Sequence, residues 1–188
     1  MKSVLSIPLI LILLFSCSSR SPISNRYISK KKNIEHLKKL GNLNWEKRVD
    51  VNSAKLSKHF LSKAVELDSG DPETMALFSR SCYFNGRFIS YDNPGFADSL
   101  FIEGFTASWS FIASLKEFQV GYQSIQGDSI AKNIAGIEGL PEEILPVAYW
   151  WAENFTSYLL TKPVLKRLES REIIETVLHR ILSINPEY

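Results

Sequence analysis

The chain has 188 residues, 45% of them apolar and 22% charged, and a formal net charge of +2. That size and balance fit one folded domain whose core needs no staples, and they exclude a disordered chain. The charge is unevenly placed, because residues 17–63 carry 12 Lys/Arg against 3 Asp/Glu while residues 64–188 carry 9 against 17. A basic leading segment on an acidic body leaves nucleic acid, anionic lipid and internal pairing open as partners.

In chain order, Met1-Lys2 precedes twelve residues, Val4 to Phe15, that are apolar except for Ser6 and Pro8. A bilayer span needs about 20 such residues, so this run is predicted to be a signal peptide rather than a transmembrane helix. Leu14-Phe15-Ser16-Cys17 resembles the bacterial lipobox, whose cysteine is acylated and becomes the mature N-terminus. The expectation is a lipoprotein anchored through Cys17; the competing reading is an ordinary secretory signal with an incidental cysteine. Ser18 after the cysteine resembles lipoproteins sent to the periplasmic face of an outer membrane. That compartment removes nucleic acid from the partners. Residues 1–16 are therefore read as signal peptide, 17–40 as a basic, solvated tether containing Lys30 to Lys32, and 41–188 as the folded domain.

Asn44-Trp45-Glu46-Lys47-Arg48 lies where a first helix belongs, and Val51 to Asp68 is its partner. Ser69-Gly70 breaks that partner. Asp71-Pro72-Glu73 starts the next helix, with Asp as N-cap, Pro at the first position and Glu at the positive end. Met75, Ala76, Ser79, Cys82, Tyr83 and Gly86 then form a stripe of mostly small residues, which suits close helix packing. After a turn at Tyr91 to Gly95, one helix is expected to carry Phe101, Gly104, Phe105, Ser108, Phe111, Ile112, Leu115 and Phe118 over five turns. Gly121 to Gly139 is too irregular to assign. Leu140-Pro141-Glu142-Glu143 starts a helix with the stripe Ile144, Val147, Ala148, Trp151, Phe155, Tyr158 and Leu159. Lys162-Pro163 ends it, and Arg171 to Ile184 is the last helix. Leu178, Ile181, Ile184 and Asn185 align with Leu61, Ala64, Leu67 and Asp68. The predicted fold is all-α, a tetratricopeptide-like repeat array of antiparallel helix pairs.

No catalytic constellation emerges. His36, His59 and His179 are far apart in charged helices, Glu142-Glu143 suits a helix start, and no phosphate loop or nucleophile motif is present. Cys82 sits on the small-residue stripe as a buried thiol, and an acylated Cys17 leaves it no disulfide partner. No metal or other cofactor is expected, and no enzyme.

Trp109 and Trp150 each lie about 100° around their helices from the main apolar stripe. A neighbouring helix is one explanation for both. The other is the wall of a cavity for an apolar or amphipathic small ligand, with Tyr149 and Asn154 orienting a polar end.

Six features taken together resemble one family: the lipobox at Cys17, Trp45 to Arg48, Leu61 to Asp68, the Pro72 to Gly86 helix, Pro146-Val-Ala-Tyr-Trp150 and Asn185-Pro-Glu-Tyr188. It is the T component associated with TRAP transporters (tripartite ATP-independent periplasmic transporters), a tetratricopeptide-like lipoprotein. The resemblance implies a periplasmic accessory that binds a TRAP substrate-binding protein, forms a homotrimer and holds an apolar channel or pocket. More helix follows in the family beyond the position of Tyr188, and the chain departs from the family there, either lacking a closing helix or stopping early. A general cell-envelope scaffold for protein–protein interaction is the alternative function.

Overall fold

The computed structural model describes residues 22–188, with side chains from Tyr27 onward. The signal peptide expected over 1–16 and the expected lipidation site at Cys17 lie outside the described residues. Among those residues every regular element is helical: α1 Pro22–Glu46, α2 Val51–Leu67, α3 Pro72–Phe84, α4 Pro94–Ser114, α5 Lys116–Ser124, α6 Ser129–Glu138, α7 Leu145–Leu160, α8 Val164–Glu169 and α9 Arg171–Ile184. A π-helical turn, Asn85–Ile89, extends α3, and a 3-10 turn, Glu142–Ile144, leads into α7.

Short acidic or amide side chains set the helix starts. Asp50, Asp71, Asn93 and Asp128 accept the backbone N–H groups of Ser53, Thr74, Phe96 and Ala131, and Pro72 and Pro94 open α3 and α4. Each cap satisfies a donor that the first helical turn cannot. The repeated helix end is equally local. The N–H of Asp68 bonds to Ala64 and that of Asn185 to Ile181. The side chains of Asp68 and Asn185 then accept the N–H groups of Gly70 and Glu187. The aligned segments thus end in the same way, although Leu178 is partly exposed where Leu61 is buried.

Successive helices pack as neighbours, α1 on α2, α2 on α3 and α3 on α4, and α7 then packs on both α3 and α4. The α5–α6 hairpin stands between α4 and α7 in the chain, and α9 closes against α6 and α7. One apolar core runs through the array and includes Leu61, Phe78, Phe111, Ile112, Phe118, Ile137, Leu145, Trp151, Val177 and Ile181. The arrangement is the all-α array of packed helix pairs read from the sequence.

Three boundaries differ from expectation. The predicted tether over 17–40 is helical from Pro22, and its later part packs: Ile34 is buried, and Lys38 Nζ lies 3.1 Å from Asp71 and 2.6 Å from Glu73. Lys30 to Lys32 are exposed, as a solvated segment requires. Internal pairing therefore takes up part of the basic charge, with Lys58 on Glu103 as a second case. The five-turn helix stops at Ser114, where Leu115 turns extended, so Phe118 enters the same core from α5. The stretch Gly121 to Gly139, unassigned from sequence, lies mostly in α5 and α6. Its glycines serve close approach: a Cβ on Gly121 would fall 2.2 Å from the Ala135 carbonyl oxygen, and one on Gly136 would fall 2.7 Å from the Phe118 ring.

Candidate functional site

Helix α7 separates two surfaces, and the residues singled out from the sequence divide between them. On one side Trp109 of α4 lies beside Trp151, ring centroids 5.2 Å apart, and meets Phe118 edge-on at 5.6 Å. Trp151 continues to Phe155 at 5.2 Å, and Phe155 to Phe105 at 5.1 Å. The rings of Phe105, Trp109, Trp151 and Phe155, with Ile173 of α9, line an open groove of about 300 Å³ whose polar rim is Thr106, Ser110 and Asn133. An apolar floor with a few convergent polar groups is the usual make-up of a small-molecule site.

Trp150 faces the other way. It lies 5.6 Å from Tyr83 and 5.0 Å from Tyr149, whose ring in turn meets Tyr188 at 5.4 Å. Burial first, and then the nearby Glu153 carboxylate, raises the pKa values of the Tyr83 and Tyr149 phenols. Trp150 also lines a second groove of about 400 Å³, shared with Pro72, Ala76, Leu77, Arg80 and Pro146.

Asn154 belongs to neither groove. It is fully buried and ties α7 to α3, its Nδ2 donating to the carbonyls of Ser79 at 3.0 Å and Trp150 at 2.7 Å. Gly104 makes room for it, since a Cβ there would fall 2.6 Å from Asn154 Oδ1. The four residues read from the sequence as one cavity wall are therefore not brought together. Trp109 lines one groove, Trp150 with Tyr149 beside it belongs to the other side, and Asn154 is a packing tie. Phe105, Trp151 and Phe155 had been assigned to the core stripes, and their groove faces went unread. Period alone cannot separate a ring that fills a core from one that also floors a groove.

The sequence reading also missed a cationic corner at the end of α1. The guanidinium carbons of Arg48 and Arg80 lie 4.7 and 4.0 Å from the centroid of the Trp45 ring. Phe84 meets Trp45 edge-on at 5.3 Å, and Phe88, about half exposed, follows Phe84 at 5.0 Å. The Trp45 to Arg48 motif held half of this corner; Arg80 comes from a different helix, and only folding joins them.

Cys82 is wholly buried, and burial pushes its thiol pKa well up. His36, His59 and His179 are exposed, and no group of His, Cys, Asp and Glu among the described residues is arranged to hold a metal ion. No described helix is long and apolar enough to cross a membrane. No family model, curated protein or solved structure matches the chain.

Proposed function

We propose that the chain is a binding protein, a lipid-anchored periplasmic accessory of a TRAP transporter at the outer membrane. In this reading it holds the transporter's substrate-binding protein on its surface and an apolar small ligand in the Trp109 groove, and it can assemble as a homotrimer. The observation that carries the ligand half is the groove itself, in which Phe105, Trp109, Trp151 and Phe155 present aromatic surface to an open space of about 300 Å³. Aromatic surface left open to water at such a place favours an apolar guest. The transporter context rests on the sequence resemblance at Cys17, Trp45 to Arg48 and Pro146 to Trp150.

Titration of the full chain with a fluorescent fatty-acid probe tests the ligand half, and capture of TRAP substrate-binding proteins by the immobilised chain tests the partner half. Wild type should bind the probe saturably, and Trp109→Ala should weaken binding by roughly tenfold while keeping the helical signal. A folded wild type that binds no apolar probe and captures no such protein would overturn the proposal.

The general scaffold is the second reading, and one surface favours it. Helix α8 buries no residue, and Leu160, Val164, Leu165 and Leu168 are each more than half exposed beside a groove of about 490 Å³. An apolar edge at the end of a repeat array is where another protein surface can add.

A further inference from the structure

Arg48, Arg80 and Arg87 make no ion pair among the described residues, in contrast to Lys38, Lys58, Lys63, Lys162 and Arg171. For Arg80 this is costly. Its Nε is buried without a hydrogen-bond acceptor, and the residue is half-buried against Trp45. Burial first, and then the charge of Arg48, lowers its pKa, and Glu46 offsets this only from beyond ion-pair distance. A half-buried guanidinium whose Nε lacks an acceptor is unfavourable unless something else compensates. Here it is instead held in place by stacking on Trp45.

The surroundings specify what would complete it. A guanidinium presents a planar fork that matches a carboxylate with two parallel hydrogen bonds. From Arg80 the groove between α3 and α7 continues over Ala76, Leu77, Pro146 and Trp150, an apolar floor of the size of one or two side chains. Its far end carries Glu73, already held by Lys38, and Glu143. A carboxylate is therefore attracted at the Arg80 end alone. The π-helical turn after α3, pinned by Asn85 Nδ2 on the Ala54 carbonyl at 3.1 Å, carries Phe88, whose ring meets Phe84 beside Trp45. Such turns recur at functional sites. Trp, Phe and Arg clustered beside an apolar groove is also the composition of a protein-binding hot spot.

We propose that the Arg80 groove is a docking site for a protein segment in which an acidic residue is flanked by apolar side chains. The carboxylate pairs with Arg80, supported by Arg48, and a neighbouring apolar side chain lies over Ala76, Leu77 and Trp150. Two arginines stacked on one indole do not form the continuous track that a nucleic acid or a membrane surface needs. The site is separate from the Trp109 groove, so it stands or falls independently of the apolar ligand and of the transporter.

The test uses two blocked pentapeptides, Gly-Leu-Glu-Leu-Gly and its Gln counterpart, titrated into the full chain in detergent at low salt. The Glu peptide should bind roughly tenfold or more tightly than the Gln peptide, the usual worth of one charge-assisted pair. Arg80→Met should erase that difference while keeping the helical signal, and Trp150→Ala should weaken both peptides alike. If Arg80→Met does not fold, Arg48→Gln, which leaves α3 untouched, should still reduce the preference for Glu. Equal affinity for the two peptides, or no saturable binding to a folded wild type, would overturn the proposal. So would inorganic phosphate or anionic phosphatidylglycerol vesicles displacing the Glu peptide as readily as unlabelled Glu peptide does.

Discussion

Asn154 shows how a single residue can look like a ligand group and act as a tie. Its amide is buried, donates twice, and leaves Oδ1 without a donor against the bare Cα of Gly104. In an open helix Gly→Ala gains about 1 kcal/mol. At Gly104 the new methyl would meet Asn154, and overpacking of that kind costs about 1–3 kcal/mol. Gly104→Ala should therefore lower stability, while in an Asn154→Ala background the same change should raise it. Chemical denaturation of the four proteins of this cycle measures the reversal, and simple additivity would show that the two do not touch. Lys38 offers a second residue-scale prediction. Burial opposes its charge, but hydrogen bonds to Glu73 and Asp71 outweigh that and raise its pKa. Burial likewise opposes the charge of Asp71, and bonds from Thr74 and Lys38 leave its pKa lowered. The Asp71 contribution is complete above the ordinary carboxylate range and is lost as pH falls through its depressed value. The Lys38 contribution is complete below the ordinary ammonium range and is lost as pH rises through its raised value. Lys38→Met should cost about 1 kcal/mol at neutral pH, allowing for water around Glu73, and less at either extreme. Denaturation midpoints across pH would reveal it. The cap at Asp71 was legible in the sequence because an N-cap is local; the Lys38 contact, 33 residues away, was not.

At the scale of elements, the long helices were readable because each repeats an apolar period for several turns. The α5–α6 hairpin was not, because four glycines in nineteen residues read as loop. Two of those glycines are instead the places where the two helices come closest. Gly121 is the more demanding, since the atom its Cβ would strike belongs to backbone, which cannot swing aside. Gly121→Ala should push α5 from α6 and raise amide hydrogen exchange across 116–138, with α2 and α3 unaffected. Unchanged protection in that hairpin would show that the approach is looser than the structure has it. The stop of α4 at Ser114 escaped notice for a related reason. Phe118 remains in phase with the stripe although the chain has turned at Leu115, so apolar spacing carried straight through a break.

For the whole molecule, an array in which each helix leans on its neighbours has graded rather than uniform stability. In α1 no side chain from Tyr27 to Asn33 is buried, and Ile34 is the first that is. Amides from Tyr27 to Asn33 should exchange within seconds to minutes, and those of α3 and α7, packed on several sides, should be the slowest. Equal protection along α1 would contradict this. The fold class could be read because period and caps suffice for helices packed in sequence order. The grooves could not, because each is bounded by helices far apart in the chain: α4, α6, α7 and α9 for Trp109, α3 and α7 for Trp150.

The burial of Cys82 has a practical consequence. A thiol with no accessible surface and a raised pKa is closed to alkylating reagents until α3 leaves α2 and α4. In a Cys17→Ser chain it would be the one sulfhydryl, so its rate of labelling by an excess of iodoacetamide becomes a clock for the opening of the array's centre. A guest seated in either groove should slow that clock in proportion to its occupancy if the array must open as a unit. If the repeats part independently, occupancy of the Trp109 groove should leave it running at its own pace.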